Sequence, residues 1–170
     1  MSLPIQITQA LGITGSAFLA GGILSVSAFA IPAIQLAPEG LAARQWKKLY
    51  IRGKNSAPYV ATTTALALGA LSYQFYGTLN QPRAELYGLS ALLIILNPPY
   101  TWIFVDGINS KLWATADASS ASKNDDETDP AAAPGGQSTK ELLDLWATHN
   151  VIRGLLPLAG SIIAFWTTFG

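Results

Sequence analysis

The spacing of the charges limits the fold more than any other feature of this sequence. No charged residue occurs before Glu39, and residues 13–36 are almost wholly apolar or small. A second uncharged stretch lies between Lys54 and Arg83, with its apolar heart at 57–79. A third, 86–105, is bracketed by Glu85 and Asp106, and a fourth, 151–169, carries Arg153 near its start. Each supplies the roughly 20 residues that cross a hydrocarbon core as a helix. In lipid the backbone must satisfy its hydrogen bonds internally, so these spans are helices rather than open strands. The expectation is an all-α chain, a four-transmembrane-helix bundle. Its single membrane domain covers 1–170, with helices at about 11–36, 57–79, 86–106 and 150–169. Charged residues are only 12% of the chain, about half the share of a soluble domain, and a soluble surface of this size needs more.

The first span invites comparison with a secretory leader, and Ala28-Phe29-Ala30 resembles a small-residue cleavage site. The absence of basic residues before it and its length favour a retained helix. Between the first two spans lie Arg44, Lys47, Lys48, Arg52 and Lys54 against Glu39, whereas the next loop is nearly neutral. The positive-inside rule then puts the first and third loops in the cytosol. Gly12, Gly15, Gly21, Gly22 and Gly69 are read as points of close helix approach. Pro32 should bend the first helix, and Asn97-Pro98-Pro99-Tyr100 should kink the third. Residues 114–140 are rich in Ala, Ser, Asp, Pro and Gly and read as a disordered cytosolic loop.

Three polar clusters fall near the cytosolic ends. In the first, 44–54, Trp46, Leu49 and Tyr50 recur at helical spacing among cations. This predicts a short amphipathic helix in the headgroup layer, or else Arg44 or Arg52 turned inward onto an anionic ligand. The second holds Tyr100, Trp102, Asp106, Asn109 and Lys111. Its aromatics read as interfacial anchors or as walls for a ring system, and Asn109 as a donor to a polar ligand group. The third holds Trp146, His149, Asn150 and Arg153, which share one broad helix face at spacings of three and four. Arg153 at the start of an apolar span is a functional candidate, with snorkelling to headgroups as the plain alternative. His149 is either an ordinary polar residue or a base. No cysteine is present, and His149 is the only histidine, which excludes thiolate chemistry, disulfides and a multi-histidine metal site within one chain. The net charge is zero and gives no argument for nucleic acid as a partner. No phosphate loop, metal-ligand spacing or nucleophile elbow occurs.

The order of segments resembles a family of small four-helix membrane proteins that includes the fungal anthrone oxygenases (noranthrone monooxygenase among them). The matching stretches are Gly22-Ile23-Leu24-Ser25-Val26-Ser27 with Ala30-Ile31-Pro32; Arg44-Gln45-Trp46 with Tyr50, Arg52-Gly53-Lys54 and Ala57-Pro58; Pro99-Tyr100-Thr101 with Asn109 and Leu112; and Trp146, Asn150, Arg153 and Leu155-Leu156-Pro157-Leu158-Ala159-Gly160. The chain departs from the family pattern at Ile108, where a polar residue is common, and at Ile23, where Asn is common. The resemblance implies a membrane-bound tailoring monooxygenase of aromatic polyketide biosynthesis, part of secondary metabolism. Such an enzyme oxidises a hydrophobic anthrone to an anthraquinone with O2 as co-substrate and is cofactor-independent, using neither metal nor flavin. Its fungal members point to the endoplasmic reticulum as host membrane. On that reading His149 is the base, with a reference pKa of about 6.5 suited to proton abstraction. Arg153, Asn150 and Asn109 stabilise the enolate oxygen, and Trp146, Tyr100, Trp102, Arg44 and Arg52 hold the substrate. Another polyketide tailoring reaction, a cyclisation or rearrangement, and a non-catalytic membrane protein binding a hydrophobic metabolite are the alternatives.

Overall fold

The computed structural model describes residues 2–121 and 136–170, and within them the chain is helical with no strand. Helix α1 (Leu3–Ser25) widens into a π-turn at Val26–Ala30 and continues as α2 (Ile31–Ile34). Helix α3 (Glu39–Phe75) is followed by α4 (Gln81–Ile95), α5 (Asn97–Tyr100), a second π-turn at Thr101–Val105, and α6 (Asp106–Ala121). Helix α7 (Thr139–Phe169) closes the chain. Three of the resulting rods, Leu3–Ile34, Gln81–Ala121 and Thr139–Phe169, are long and apolar enough to cross a membrane. The four rods pack as a closed ring, α1 between α3 and α7, and α4 between the same two.

The second expected span is replaced by something longer. Residues 57–79 are not a separate helix: they belong to the 37-residue α3, which ends at Phe75 and turns through Gly77 at φ +69°. Nor do 44–54 form a separate headgroup helix; they are the first half of α3, because Ala42, Ala43 and Trp46 are buried there against α6 and α7. At 1.5 Å per residue α3 is about 55 Å long, well beyond a hydrocarbon core of about 30 Å. The other helices match it: α6 carries the chain as helix to Ala121 and α7 resumes at Thr139. Of the expected loop 114–140, residues 114–121 are therefore helical, and 122–135 lie outside the described residues. The start of α7 is fixed by a capping box, Ser138 with Glu141, and by Glu39, which accepts from the Thr139 amide at 3.1 Å. Lys47 pairs with Asp117 and ties α3 to α6.

The apolar interior falls into two blocks. One, at the charge-rich end, contains Trp46, Val105, Leu112, Leu142, Leu143 and Trp146. The other contains Leu19, Leu68, Leu71, Phe75, Tyr87 and Ile94. The helices approach closely beside Gly12 and Gly15, where an added Cβ would run into Leu68 and Thr64. Gly21, Gly22 and Gly69 have nothing within 4 Å of such an atom and mark no contact. Unanticipated glycines do: Gly154 faces Leu24, Gly40 faces Ser119, Gly88 faces Ser72, and a Cβ at Gly160 would lie 3.1 Å from the Ser90 carbonyl oxygen.

Candidate active site

A polar layer lies between the two apolar blocks, and Pro157 sets it up. Proline has no amide hydrogen, so the carbonyl four residues earlier, that of Arg153, loses its helical partner. Asn97 supplies the replacement: its Nδ2 donates to the Arg153 carbonyl at 2.8 Å, and its Oδ1 accepts from Arg153 Nε at 3.0 Å. The Asn97 amide reaches α7 from the short segment α5, just past the end of α4 at Ile95. The guanidinium is further held by Nη1, 3.4 Å from Asn150 Oδ1.

Asn150 is itself fully committed. Its Nδ2 donates to the Ile23 carbonyl at 2.8 Å and to Ser27 Oγ at 2.9 Å. Ser27 lies in the first π-turn, and its hydroxyl donates to the Ala147 carbonyl. A π-turn interrupts the regular i→i−4 ladder, and a backbone carbonyl left there without a partner must find one outside the helix. Asn150 thus positions Arg153 and locks α7 to α1, with no donor left over for a ligand. Tyr100, at the end of α5, and Phe104, in the second π-turn, lie against His149. Tyr100 Oη is 2.9 Å from His149 Nδ1, and the Phe104 ring stacks on the imidazole at 6.3 Å between centroids. Both π-turns flank the polar layer, a placement common at functional sites.

The remaining expected site residues divide. Trp146 is buried, with its Nε1 donating to Asn109 Oδ1 at 2.9 Å, and it meets Trp46 edge-on at 6.0 Å. It is a core residue that orients Asn109 rather than a free stacking face. Asn109 is 5% exposed, and its Nδ2 has no hydrogen-bond partner among the described residues; Trp46 Nε1 is in the same condition. Trp102 is 74% exposed and Arg52 is exposed, so neither joins the polar layer. Arg44 instead donates to the Ser119 carbonyl at 2.9 Å, at the far end of α6. Among the described residues no three His, Cys, Asp or Glu side chains gather as a metal ion would require. Asn97, Ser27 and Phe104 were not anticipated. The spacing of four between Arg153 and Pro157 was the available signal that some donor had to reach that carbonyl.

The sequence profile of the anthrone oxygenases matches residues 46–163, a span that holds all of the polar layer except the α1 contacts. The chain belongs to the anthrone oxygenase family. It is similar to an anthrone oxygenase of Aspergillus fumigatus, 30% identical over 94% of this chain and 91% of that one. An anthrone oxygenase of Claviceps purpurea is 31% identical, over 87% and 80%. The noranthrone monooxygenase of Aspergillus flavus is 25% identical, over 89% and 68%. No solved structure matches the chain. Family membership makes it a member of a group of polyketide-tailoring oxygenases.

Proposed function

We propose that this protein is a membrane-bound oxygenase that converts an anthrone into an anthraquinone: anthrone plus O2 gives anthraquinone plus water. The observation that carries the reading is the His149–Tyr100 pair beside a half-buried Arg153, in a family whose named relatives act on anthrones. The anthrone methylene is flanked by two aryl rings and conjugated to the carbonyl, so losing one proton gives a delocalised enolate. His149 takes that proton. For this its Nδ1–H donates to Tyr100 Oη, leaving Nε2 unprotonated. Arg153 still has N–H groups beyond those bound to Asn97 and Asn150, and these meet the developing enolate oxygen. The carbanion passes electrons to O2 and forms a carbon–oxygen bond. The resulting peroxide anion takes the proton back from His149, and the hydroperoxide then loses water across its C–H and O–O bonds to give the second carbonyl. The electrons come from the substrate, so the scheme needs neither metal nor flavin. Asp106 is the next candidate base.

In this reading all four rods cross the bilayer, and the Asn97-Pro98-Pro99 break bends the third so that its wall faces the site. The charge-rich ends of α3, α6 and α7 stand in the cytosol, and the host membrane is the endoplasmic reticulum. Membranes containing the protein, supplied with emodin anthrone, should form quinone faster than vector membranes under air and not under argon. Equal rates in the two membranes, with the protein present and folded, would leave a carrier or another tailoring reaction as the function.

A further inference from the structure

Two buried N–H donors without acceptors, Asn109 Nδ2 and Trp46 Nε1, belong to the two residues that meet Trp146, and among the described residues the other buried polar side chains are almost all paired. A buried donor left unpaired is costly, and in a native structure such a group calls for an explanation. The Asn109 amide cannot relieve itself by turning over: its Oδ1 is held by the Trp146 indole N–H, which has no other role to play as a pure donor. Asn109 lines a cleft of about 200 Å³ between α3 and α6, together with Tyr50, Lys54, Asp106, Ser110 and Trp113. The walls of this cleft are aromatic. Tyr50 stacks on Trp46 at 5.0 Å and meets Trp113 edge-on at 6.1 Å. Its rim carries one charge of each sign, Lys54 and Asp106.

We propose that this cleft is a docking site for a flat aromatic ketone, in which Asn109 Nδ2, covered in the free protein, is uncovered as the ligand enters and donates to its carbonyl or phenolate oxygen. The amide turns its oxygen to Trp146 and keeps its donor unpaired, so it selects an oxygen acceptor over a hydroxyl that must donate. The aromatic walls select a ring system. The cleft is smaller than the roughly 300–1,000 Å³ of pockets that enclose a ligand, so it grips one edge and leaves the rest of the ring system projecting. The ligand class rests on the oxygenase reading; the orphaned donor and the aromatic walls do not.

The test is binding of 1,8-dihydroxyanthraquinone, a ketone with no anthrone methylene to oxidise, to the purified full chain in lipid nanodiscs at pH 8. Quenching of the tryptophans reports the affinity. Asn109→Asp keeps the acceptor for Trp146 and replaces the free donor by a carboxylate oxygen. Affinity about tenfold weaker, with helix content retained, is the expected result; unchanged affinity overturns the proposal. If Asn109→Asp does not fold, Trp113→Leu on the half-buried cleft wall decides the matter in the same assay, weaker binding supporting the site and unchanged binding overturning it. Oxygen-dependent turnover by the native chain with unchanged affinity in these variants would remove the cleft and leave the oxygenase. Weakened affinity in the variants with no turnover by the native chain would do the reverse.

Discussion

Arg153 is held by a residue 56 positions away, and the reason is local to its own helix. Pro157 strands the Arg153 carbonyl, and Asn97 covers it while gripping the guanidinium. Asn97→Ala should therefore destabilise the protein by about 1–3 kcal/mol, the usual range for a buried polar group left unpaired. In a Pro157→Ala background the carbonyl regains an amide partner, so the same change should cost less; additive effects in the thermal midpoints would show the two residues to be uncoupled. For the chemistry, His149→Gln should lower turnover about 10²–10⁴-fold, the range for general acid–base groups. Arg153→Met should lower it about 10²–10³-fold, the range for an oxyanion donor, with the helical spectrum retained. Activity surviving His149→Gln would pass the base role to Asp106. The shared face of His149, Asn150 and Arg153 was legible because helical spacing alone puts them together. Asn150 looked like a ligand donor because sequence does not show which valences are already taken, and its amide is spent on Ile23 and Ser27.

Helix ends were harder to read than helix cores, and α3 shows why. Charge ends a transmembrane span, but it does not end a helix. Lys48, Arg52 and Lys54 sit on the outer face of a rod whose inner face, Ala42, Ala43 and Trp46, is buried, while Arg44 and Lys47 reach across to α6. A hydropathy pattern therefore stops where the helix does not. The same logic carries α6 to Ala121 through residues whose composition reads as a loop. Small residues were an unreliable guide to packing, since glycine is frequent in membrane helices whether or not a neighbour approaches. The structure separates the two kinds. At Gly160 the obstacle to a side chain is backbone, the Ser90 carbonyl, which cannot rotate away. Gly160→Leu should cost about 1–3 kcal/mol by forcing α7 off α4. Gly21, which meets nothing, should accept Ala without loss, because Ala is the better helix former. Thermal unfolding followed by circular dichroism distinguishes them, and equal losses would mean that the α4–α7 contact is not close.

At the scale of the whole bundle, the polar layer and the charge lie toward the same end. The polar layer of Asn97, His149 and Arg153 joins an apolar block to a second block surrounded by Lys47, Lys48, Lys54, Asp106 and Lys111. At the opposite end the polar interior is the chain from Gln9 through Tyr87 to Thr168, which links α1, α4 and α7 by bonds of 2.9 and 2.8 Å and leaves the tyrosine hydroxyl engaged on both sides. That arrangement is structural glue between helices, while the buried donors left unpaired among the described residues lie at the charge-rich end. A hydrophobic substrate made in the cytosol would then meet the site without crossing the bilayer, provided the charge-rich end faces the cytosol as the loop cations require. The chain has no cysteine, so single-cysteine variants report one position each. Lys48 and Asn80 are both exposed, near the middle of the charged half of α3 and in the opposite turn. In sealed microsomes with the cytosolic face outward, a membrane-impermeant maleimide should label Lys48→Cys at once. It should label Asn80→Cys only after detergent opens the vesicle. The inverse pattern would put the polar layer on the lumenal side, and substrate would then have to reach it across the bilayer.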